Sequence, residues 1–321
     1  MRYLQGMGNV AEVQIARRTG FCYGVREAID AARISAAAGK LTHTLGQVVH
    51  NEGVISQLRD AGIRSVKELD EVDEGAAVVI RAHGVKPEVM ERAEAKGLDV
   101  IDGTCTWVTQ EQKELVLLVE EGYTVVLLGT PNHPEVVGLL GFAPDAILVD
   151  DEDDWHKIPR RKRIALLTQS TQPPWKFEQL AAHLVSKAHE LKVVNTVCPV
   201  TIRRQQDTTD LAAEVDVVVV VGGRNSANTR ELTRLVGIVG KPAVQIEHAR
   251  DLEDAATFDG RSKVGVTGGT STPIEDLEAV VQRIYDLAGD SETQPRATEL
   301  AHAAVTAVAE SAYRSTSLSA S

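Results

Sequence analysis

Short β-branched runs alternate with amphipathic segments along most of this 321-residue chain. The clearest run covers residues 215–222, where five consecutive valines follow Asp216. A continuously apolar strand is buried on both faces, as in parallel sheets that are covered by helices. The alternation therefore predicts an α/β fold with mostly parallel sheets. Strands are predicted at 13–17, 77–82, 124–129, 163–168, 192–197, 215–222 and 263–267. Helices are predicted at 25–38, 87–96, 110–121, 175–190, 203–214 and 228–239.

The length of the chain suits two or three units of about 100–150 residues each. Its 43% hydrophobic content supports real cores, and its 4% aromatic content indicates that aliphatic side chains fill them. We expect three similar α/β units, at 13–104, 105–197 and 198–289. Residues 290–321 are rich in Ala, Ser, Thr and Glu, so we expect a mobile tail with one weak helix near 297–312.

Charge and hydropathy exclude several classes of protein. The net charge of −12 argues against a nucleic-acid surface. The longest apolar stretch, near 215–221, is far too short to cross a bilayer. No secretory signal is visible in the first ten residues, and unpaired thiols suit a reducing compartment, so we expect a cytoplasmic protein. No glycine-rich dinucleotide or P-loop pattern supports nucleotide binding.

The chain has three cysteines, Cys22, Cys105 and Cys198, and they are almost evenly spaced. Each stands where an apolar run gives way to a turn, whereas a structural cysteine usually lies inside such a run. The pattern predicts one ligand from each of three units, converging on a shared metal centre with an open coordination position. The alternative is three unrelated buried thiols. A complete disulfide framework is impossible with an odd number, and no CxxC pair is present.

Small and polar residues cluster where the predicted strands end. Ligands of open α/β sheets bind outside the carboxyl ends of the strands. Two of these clusters precede helices, so backbone N–H groups and the helix dipole could hold a phosphate there. Few basic residues accompany them, which favours a small diphosphate held by neutral donors. The alternative is ordinary turns and helix caps. The candidate phosphate donors are Asn225, Ser226, Asn228 and Ser271.

Three of the nine histidines lie among small residues, namely His50, His83 and His133. They could donate to a diphosphate or bind a metal, but metal binding is disfavoured because neither HxxxH nor HxH spacing is present. Glu135 follows His133 by two residues and could relay protons. Alternatively, Glu135 is an acid that stabilises the first turn of a helix.

These residues lie in eight ordered motifs that resemble the 4-hydroxy-3-methylbut-2-enyl diphosphate reductase (LytB-type) family. The resemblance runs from about residue 13 to 287. The motifs are Gly20-Phe21-Cys22-Tyr23-Gly24-Val25, Val49-His50-Asn51, Ala82-His83-Gly84-Val85, Thr104-Cys105, His133-Pro134-Glu135-Val136, Gln169-Ser170-Thr171, Asn225-Ser226-Ala227-Asn228 and Gly269-Thr270-Ser271-Thr272-Pro273.

The resemblance implies three α/β units arranged as a cloverleaf around one 4Fe–4S cluster. Cys22, Cys105 and Cys198 would each bind one iron, and the fourth iron would be left for substrate. Family members remove the allylic hydroxyl of the substrate as water, using two electrons and protons. This last step of the non-mevalonate pathway gives isopentenyl and dimethylallyl diphosphates.

The resemblance also implies roles for individual side chains at the two ends of the substrate. His133, Glu135 and Ser170 would serve the hydroxyl end, with Glu135 and His133 as the catalytic residues, and Thr201 would line the pocket. The diphosphate would be held by His50, His83, Ser226, Asn228 and Ser271.

The chain departs from the family pattern at several positions. Ser170 stands where threonine is usual, and Ala227 stands where serine is frequent, which removes one phosphate donor. The pairs Thr106-Trp107 and Pro199-Val200, which follow two of the cysteines, are also atypical. No departure removes a predicted cluster ligand or the predicted acid.

Two functions of other classes stay open at this point. One is a zinc hydrolase that uses three thiolates, and the other is an iron–sulfur sensor without turnover. The electron donor of a reductase would be a protein such as ferredoxin or flavodoxin. The basic run Arg160-Arg161-Lys162-Arg163 could dock an acidic donor, although such runs are usually solvated surface.

Overall fold

The computed structural model describes residues 10–49, 51–224 and 226–288. Within these ranges every strand pairing is parallel, which confirms the predicted α/β fold. The strands are β1 (Glu12–Ile15), β2 (Thr42–Leu45), β3 (Arg64–Val66), β4 (Ala77–Ile80), β5 (Asp99–Asp102), β6 (Thr124–Leu128), β7 (Ile147–Val149), β8 (Arg161–Thr168), β9 (Ala188–Val193), β10 (Val217–Val221), β11 (Ala243–Ile246) and β12 (Lys263–Gly268).

Helices follow most of these strands, as parallel connections require. The α-helices are α1 (Tyr23–Ala37), α2 (Glu52–Asp60), α3 (Pro87–Ala95), α4 (Thr106–Glu120), α5 (Pro134–Phe142), α6 (Pro174–Leu184), α7 (Pro199–Glu214), α8 (Ala227–Ile238) and α9 (Ile274–Ala288). Short 3₁₀ turns lie at Leu69–Glu71, Glu152–Lys157, Ala249–Asp251 and Ala255–Phe258. No helix in the described ranges is long and apolar enough to cross a membrane.

The chain divides into two compact units. The terminal unit contains the described residues of 10–23 and 203–288, and the central unit contains those of 24–202. The terminal unit is built on one sheet of strand order β1-β12-β10-β11. The central unit holds two sheets, of order β3-β2-β4-β5 and β7-β6-β8-β9.

The valines of β10 form the centre of the packing in the terminal unit. All five are fully buried, and alternate ones face opposite sides of the sheet. Val217, Val219 and Val221 belong to a core that includes side chains of α9. Val218 and Val220 join a second core, which includes side chains of α7 and α8. A strand that must be apolar on both faces is therefore the central feature of this unit, as its sequence predicts.

The strand that opens the described chain also belongs to the terminal sheet. β1 pairs with β12 in register, with Val13 opposite Val264. The prediction of a first unit at 13–104 instead groups β1 with the segments that directly follow it in sequence. The boundaries 13–104, 105–197 and 198–289 stay predictions, and the predicted tail at 290–321, with its helix at 297–312, lies outside the described residues.

In the central unit, alternation along β6 and β8 builds a core on each face of one sheet. Val125 and Leu127 face a core with side chains of α4 and α5. Val126 and Leu128 face another core, with side chains of α6. This arrangement fixes the ends of β6 and β8 side by side, with Leu128 paired with Thr168.

One predicted boundary is wrong. Residues 188–190 were predicted as the end of a helix, and 192–197 as a strand, but α6 ends at Leu184 and β9 begins at Ala188. β9 is an edge strand that pairs with β8 and is only partly buried, so its sequence carries no apolar run. The backbone hydrogen bonds to β8 hold this segment as a strand although its own sequence has little strand propensity.

Candidate active site

The ends of β6 and β8 bring Glu135 and Ser170 together. His133 is the N-cap of α5, and its ring Nδ1 accepts the backbone N–H of Glu135 at 3.2 Å. Pro134 then starts the helix at a position where its missing N–H costs nothing. Ser170 lies two residues beyond β8. Because parallel neighbouring strands end at the same edge of their sheet, the two loops meet there.

Ser170 holds both oxygens of the Glu135 carboxyl. Its backbone N–H donates to Oε1 at 2.6 Å, and its hydroxyl donates to Oε2 at 2.8 Å. The Glu135 side chain is almost fully buried. Burial raises the pKa of Glu135, and the hydrogen bonds from Ser170 and Glu111 partly offset that rise. The carboxyl is thus bound to Ser170 and not only to the first turn of its own helix, which favours the proton-relay interpretation.

Glu111 is a second buried acid beside Glu135, and the sequence analysis missed it. It lies on α4 in the stripe of buried positions Val108, Glu111, Leu115 and Leu118. Burial and then the charge of Glu135, with a hydrogen bond to that carboxyl, raise the pKa of Glu111 well above its ordinary value. The available signal was an acid that occupies an apolar position of a helical stripe at 3–4-residue spacing.

Two of the three predicted histidines are described, and they are neighbours. The rings of His83 and His133 meet edge to face with centroids 5.4 Å apart. His83 follows β4, and His133 follows β6. Two partly exposed imidazoles therefore lie beside the start of α5 in the central unit. His50 lies outside the described residues.

The backbone around Cys105 and Cys198 is tied to these site residues. The N–H of Cys198 donates to the carbonyl of Ser170 at 2.8 Å. The N–H of Cys105 donates to the carbonyl of Ala82, next to His83, at 3.0 Å. Trp107 strengthens this region, since its indole N–H donates to the carbonyl of Thr196 at 2.9 Å.

Gly24 leaves space that Cys105 occupies. A Cβ at position 24 would lie 2.7 Å from Cys105 Sγ and 2.8 Å from Cys105 Cβ. We expect Gly24→Ala to destabilise the protein by about 1–3 kcal/mol through overpacking, measured by chemical denaturation. The matched control is Gly237→Ala on α8, where an added Cβ meets nothing within 4 Å. This substitution should leave the stability of the protein unchanged or raise it. Equal stability of Gly24→Ala and wild type would show that Cys105 moves aside at no cost.

In the terminal unit, Cys22 lies directly before α1 and donates its N–H to the carbonyl of Thr270 at 3.3 Å. A buried arginine, Arg204, fixes the same region. Its guanidinium donates to the carbonyls of Gly268 at 2.6 Å and Gly20 at 2.8 Å. Arg204 was not singled out from the sequence, because an arginine in an amphipathic helix has no feature that marks it as buried.

Polar side chains lie beyond the ends of β10 and β12. Asn228, in the first turn of α8, is 6% exposed, and neither its side-chain oxygen nor its side-chain nitrogen has a hydrogen-bond partner among the described residues. A Cβ at Gly269 would lie 3.6 Å from Asn228 Nδ2 and 2.7 Å from Thr229 Oγ1, so only a glycine lets the backbone approach these two side chains so closely. Buried polar atoms normally have partners, and their absence here points to a ligand.

The other predicted donors differ in what they do. Ser226 is the N-cap of α8, and its Oγ accepts the N–H of Thr229 at 3.3 Å, as the capping alternative expects. Ser271 lies in the turn between β12 and α9. Thr201 is buried in the first turn of α7, in the central unit. Asn225 lies outside the described residues.

All three cysteines are described, and none forms a disulfide. Each directly precedes a helix, α1, α4 or α7. The positive end of a helix dipole stabilises negative charge, which suits thiolate ligands. Among the described residues no group of three or more His, Cys, Asp or Glu side chains could hold a single metal ion. In an iron–sulfur cluster each cysteine binds a different iron, so the donor set still fits a cluster, and ligation stays a prediction.

Comparisons with known proteins cover the same span as the motifs. The model of the LytB protein family matches residues 13–285. The 4-hydroxy-3-methylbut-2-enyl diphosphate reductase of Geobacter metallireducens is 36% identical over 277 residues, which cover 86% of this chain and 98% of that protein. The protein of the same name from Pelobacter propionicus is 36% identical over 276 residues, with the same two shares.

Two solved structures are also similar. One is described as (E)-4-hydroxy-3-methyl-but-2-enyl diphosphate reductase, the terminal enzyme of the non-mevalonate pathway. It has a TM-score of 0.68 and 35% identity, and the match covers 86% of this chain and 100% of that one. The other is the E-1-hydroxy-2-methyl-but-2-enyl-4-diphosphate reductase of Plasmodium falciparum. Its TM-score is 0.81 at 26% identity, and the match covers 89% of this chain and 90% of that one.

Proposed function

This chain is an enzyme of the LytB family, and on that premise we propose that it reduces 4-hydroxy-3-methylbut-2-enyl diphosphate to isopentenyl and dimethylallyl diphosphates. The observation in this chain that carries the proposal is the buried Glu135 carboxyl, which Ser170 holds at 2.6 Å and 2.8 Å. The backbone of the same serine accepts the N–H of Cys198. A predicted proton donor and a predicted cluster ligand thus share one residue as their anchor.

Cys22, Cys105 and Cys198 would hold a 4Fe–4S cluster, one per chain. When bound, the cluster would relay the two electrons of the reaction from the donor, one at a time, and its open iron would act as a Lewis acid for the departing oxygen. The donor set fits this group because it consists of three thiols outside any disulfide, each at the start of a helix. An open position is left because the sequence has no fourth cysteine.

The chain itself must supply a proton, because hydroxide is a poor leaving group. In the overall reaction the allylic C–O bond breaks, the oxygen leaves as water, and the carbon skeleton gains two electrons and a proton. Glu135 would give its proton to the oxygen as the bond breaks. Burial raises the pKa of this carboxyl, so it keeps a proton to higher pH than an exposed glutamate does. Ser170 and His133 would orient the hydroxyl, and Thr201 would line the pocket.

The diphosphate would be bound by neutral donors. The Asn228 amide has no partner among the described residues, and Ser226, Ser271 and His83 would supply further groups. The sequence adds His50 and Asn225. Backbone N–H groups at the start of α8 would complete the anion site.

We expect Asn228→Ala to weaken substrate binding because it removes a donor to a charged acceptor, worth about 1.5–3 kcal/mol. This corresponds to a rise of roughly 10-fold to 150-fold in the dissociation constant. Calorimetry with the substrate checks this, with Ser271→Ala tested in parallel. Thr233→Ala, in the same helix with its hydroxyl on the Thr229 carbonyl, is the control. If both Asn228→Ala and Ser271→Ala bind the substrate with wild-type affinity, these residues serve only as structural parts of the helix ends and do not bind the diphosphate.

The electron donor is proposed to be a small acidic protein such as ferredoxin or flavodoxin. The basic run at 160–163 is poorly placed to receive it beside Ser170. Arg161 begins β8, an eight-residue strand whose far end precedes Ser170, and at ~3.3 Å per residue the two ends lie roughly 25 Å apart. Arg163 is also paired with Glu190 at 3.1 Å and stacked on Tyr123. These contacts favour the solvated-surface alternative for this run.

The test of the proposed function is an anaerobic assay with a chemically reduced dye as donor and the hydroxylated diphosphate as substrate. Iron, sulfide and zinc are measured on the same preparation. Brown protein that forms both isoprenoid diphosphates supports the proposal. Colourless protein with stoichiometric zinc would favour the hydrolase, and a full cluster without turnover would favour the sensor.

A further inference from the structure

We propose that Glu111 shares a proton with Glu135 and supplies the proton that Glu135 passes to the leaving hydroxyl. Glu111 is then a positioning residue that acts through Glu135. The inference deepens the proposed function and rests on it for the identity of the proton acceptor. Its structural part, a shared proton between two buried acids, can be measured without turnover.

The packing of α4 against α5 creates the pair. Glu111 lies in the buried stripe of α4, between Val108 and Leu115, and is 1% exposed. Glu135 lies in the first turn of α5 and is 2% exposed. Leu115 of α4 and Val136 of α5 belong to the same core. An acid at a position that packing otherwise fills with aliphatic side chains needs a polar partner, because a buried charge without one is strongly unfavourable.

The polar group that interacts with Glu111 is the carboxyl of Glu135. Neither oxygen of Glu111 receives a hydrogen bond from an N–H or O–H group of the described residues. The two carboxyls, however, are close enough to hydrogen-bond each other when one is protonated. Ionisation of both of two adjacent buried carboxyls is strongly unfavourable, so at rest one proton lies between them. The pair titrates as a unit.

The surroundings decide which acid holds the proton at rest. Two donors of Ser170 point at the oxygens of Glu135 and favour its ionised form. Glu111 has no such donors, so the proton lies on Glu111 and is donated to Glu135. His133, ahead of α5, is a further titratable side chain in contact with the Glu135 segment, through the Glu135 backbone N–H.

The resulting step balances in protons and charge. The O–H bond of Glu111 breaks as an O–H bond forms on the Glu135 carboxylate, and that new bond breaks in turn as the same proton passes to the leaving oxygen. Both carboxyls are then ionised, and the pair recovers one proton from solvent before the next turnover. The relay needs no reactant beyond the solvent proton, and it changes nothing in the flow of electrons.

The direct test is difference infrared spectroscopy of the full-chain protein across a pH titration. Wild type should show the C=O band of a protonated carboxylic acid at neutral pH, and Glu111→Gln should lose it. Glu120→Gln, an exposed position at the end of the same helix, is the matched control and should keep the band. Absence of the band in wild type would overturn the proposal, and this measurement does not require any variant to fold.

Kinetics test the relay itself. Glu111→Gln keeps size and gives Glu135 a permanent amide donor without a transferable proton. We expect kcat to fall at least about 10-fold, within the lower part of what general acid catalysis contributes, with KM within about twofold of wild type. The alkaline limb of the kcat profile should move to lower pH, because the amide stabilises the ionised Glu135.

Different results would contradict the proton relay and the proposed reductase function. Unchanged kcat and an unchanged pH profile in Glu111→Gln would overturn the relay and leave Glu111 as a packing residue. A wild-type protein that shows the infrared band and binds a cluster, yet does not turn over the diphosphate, would overturn the proposed function while the shared proton stands.

Discussion

Replacing Cys198 by serine should give colourless protein, low in iron and sulfide and without measurable turnover, when it is purified anaerobically. The serine hydroxyl is not ionised near neutral pH and is a hard oxygen donor, whereas iron–sulfur clusters require soft thiolates. Cys198 also sits on the backbone that Ser170 anchors, with its N–H 2.8 Å from the Ser170 carbonyl, so the loss of the thiol leaves the surrounding fold in place. Circular dichroism should therefore match wild type.

The same result is expected for Cys22→Ser and Cys105→Ser. Iron and sulfide analysis with visible absorption measures the outcome, and Glu135→Gln, which leaves all three thiols intact, is the control. Full iron content in all three cysteine variants would contradict the assignment of these residues as ligands. It would also restore the alternative of three structural thiols.

Glu135→Gln should retain its cluster and bind substrate, yet lose at least the ~10²-fold in kcat expected of a general acid. Glutamine keeps the shape of the side chain and can still contact Ser170, but it has no proton to transfer. Because burial raises the pKa of Glu135, the wild-type rate should fall as pH rises through that pKa, and the variant should lack this limb. Steady-state kinetics across pH, with iron content as a check, measure both effects.

The rival interpretation gives proton delivery to His133 and leaves Glu135 as a helix-end acid. The structure assigns the cap to His133, whose Nδ1 accepts the Glu135 N–H, so the neutral ring carries its proton on Nε2. Near-normal turnover by Glu135→Gln, together with an inactive but cluster-replete His133→Phe, would decide for His133.

The sequence predicts best where one segment determines its own environment. The valines of β10 need burial on both faces, and they receive it from α7, α8 and α9. β2 has the sequence Thr-His-Thr-Leu and β9 has Ala-His-Glu-Leu-Lys-Val. Neither has an apolar run, and both become strands through pairing with β4 and β8. That pairing depends on residues far away in sequence.

The residues of the candidate site also divide into those that a local sequence pattern reveals and those that depend on residues far away in sequence. Cys22, His133, Glu135 and Ser170 were singled out because small residues and turns mark the ends of strands. Glu111 was missed, because its burial beside Glu135 depends on where α4 packs. Arg204 was missed for a similar reason, since its partners are carbonyls of Gly20 and Gly268. Backbone acceptors leave no trace in side-chain patterns.

The pairing of β1 with β12 has a consequence for how the protein is made. The terminal sheet joins residue 12 to residue 263, so it cannot close on the ribosome until nearly all the described chain has emerged. The central unit, 24–202, is continuous and can fold much earlier, as N-terminal domains do during synthesis. Cys22, whose N–H is fixed by Thr270, is synthesised first among the three cysteines and is positioned last. If the three cysteines hold one cluster, as proposed, its assembly must therefore wait until the segment that contains Thr270 has been synthesised.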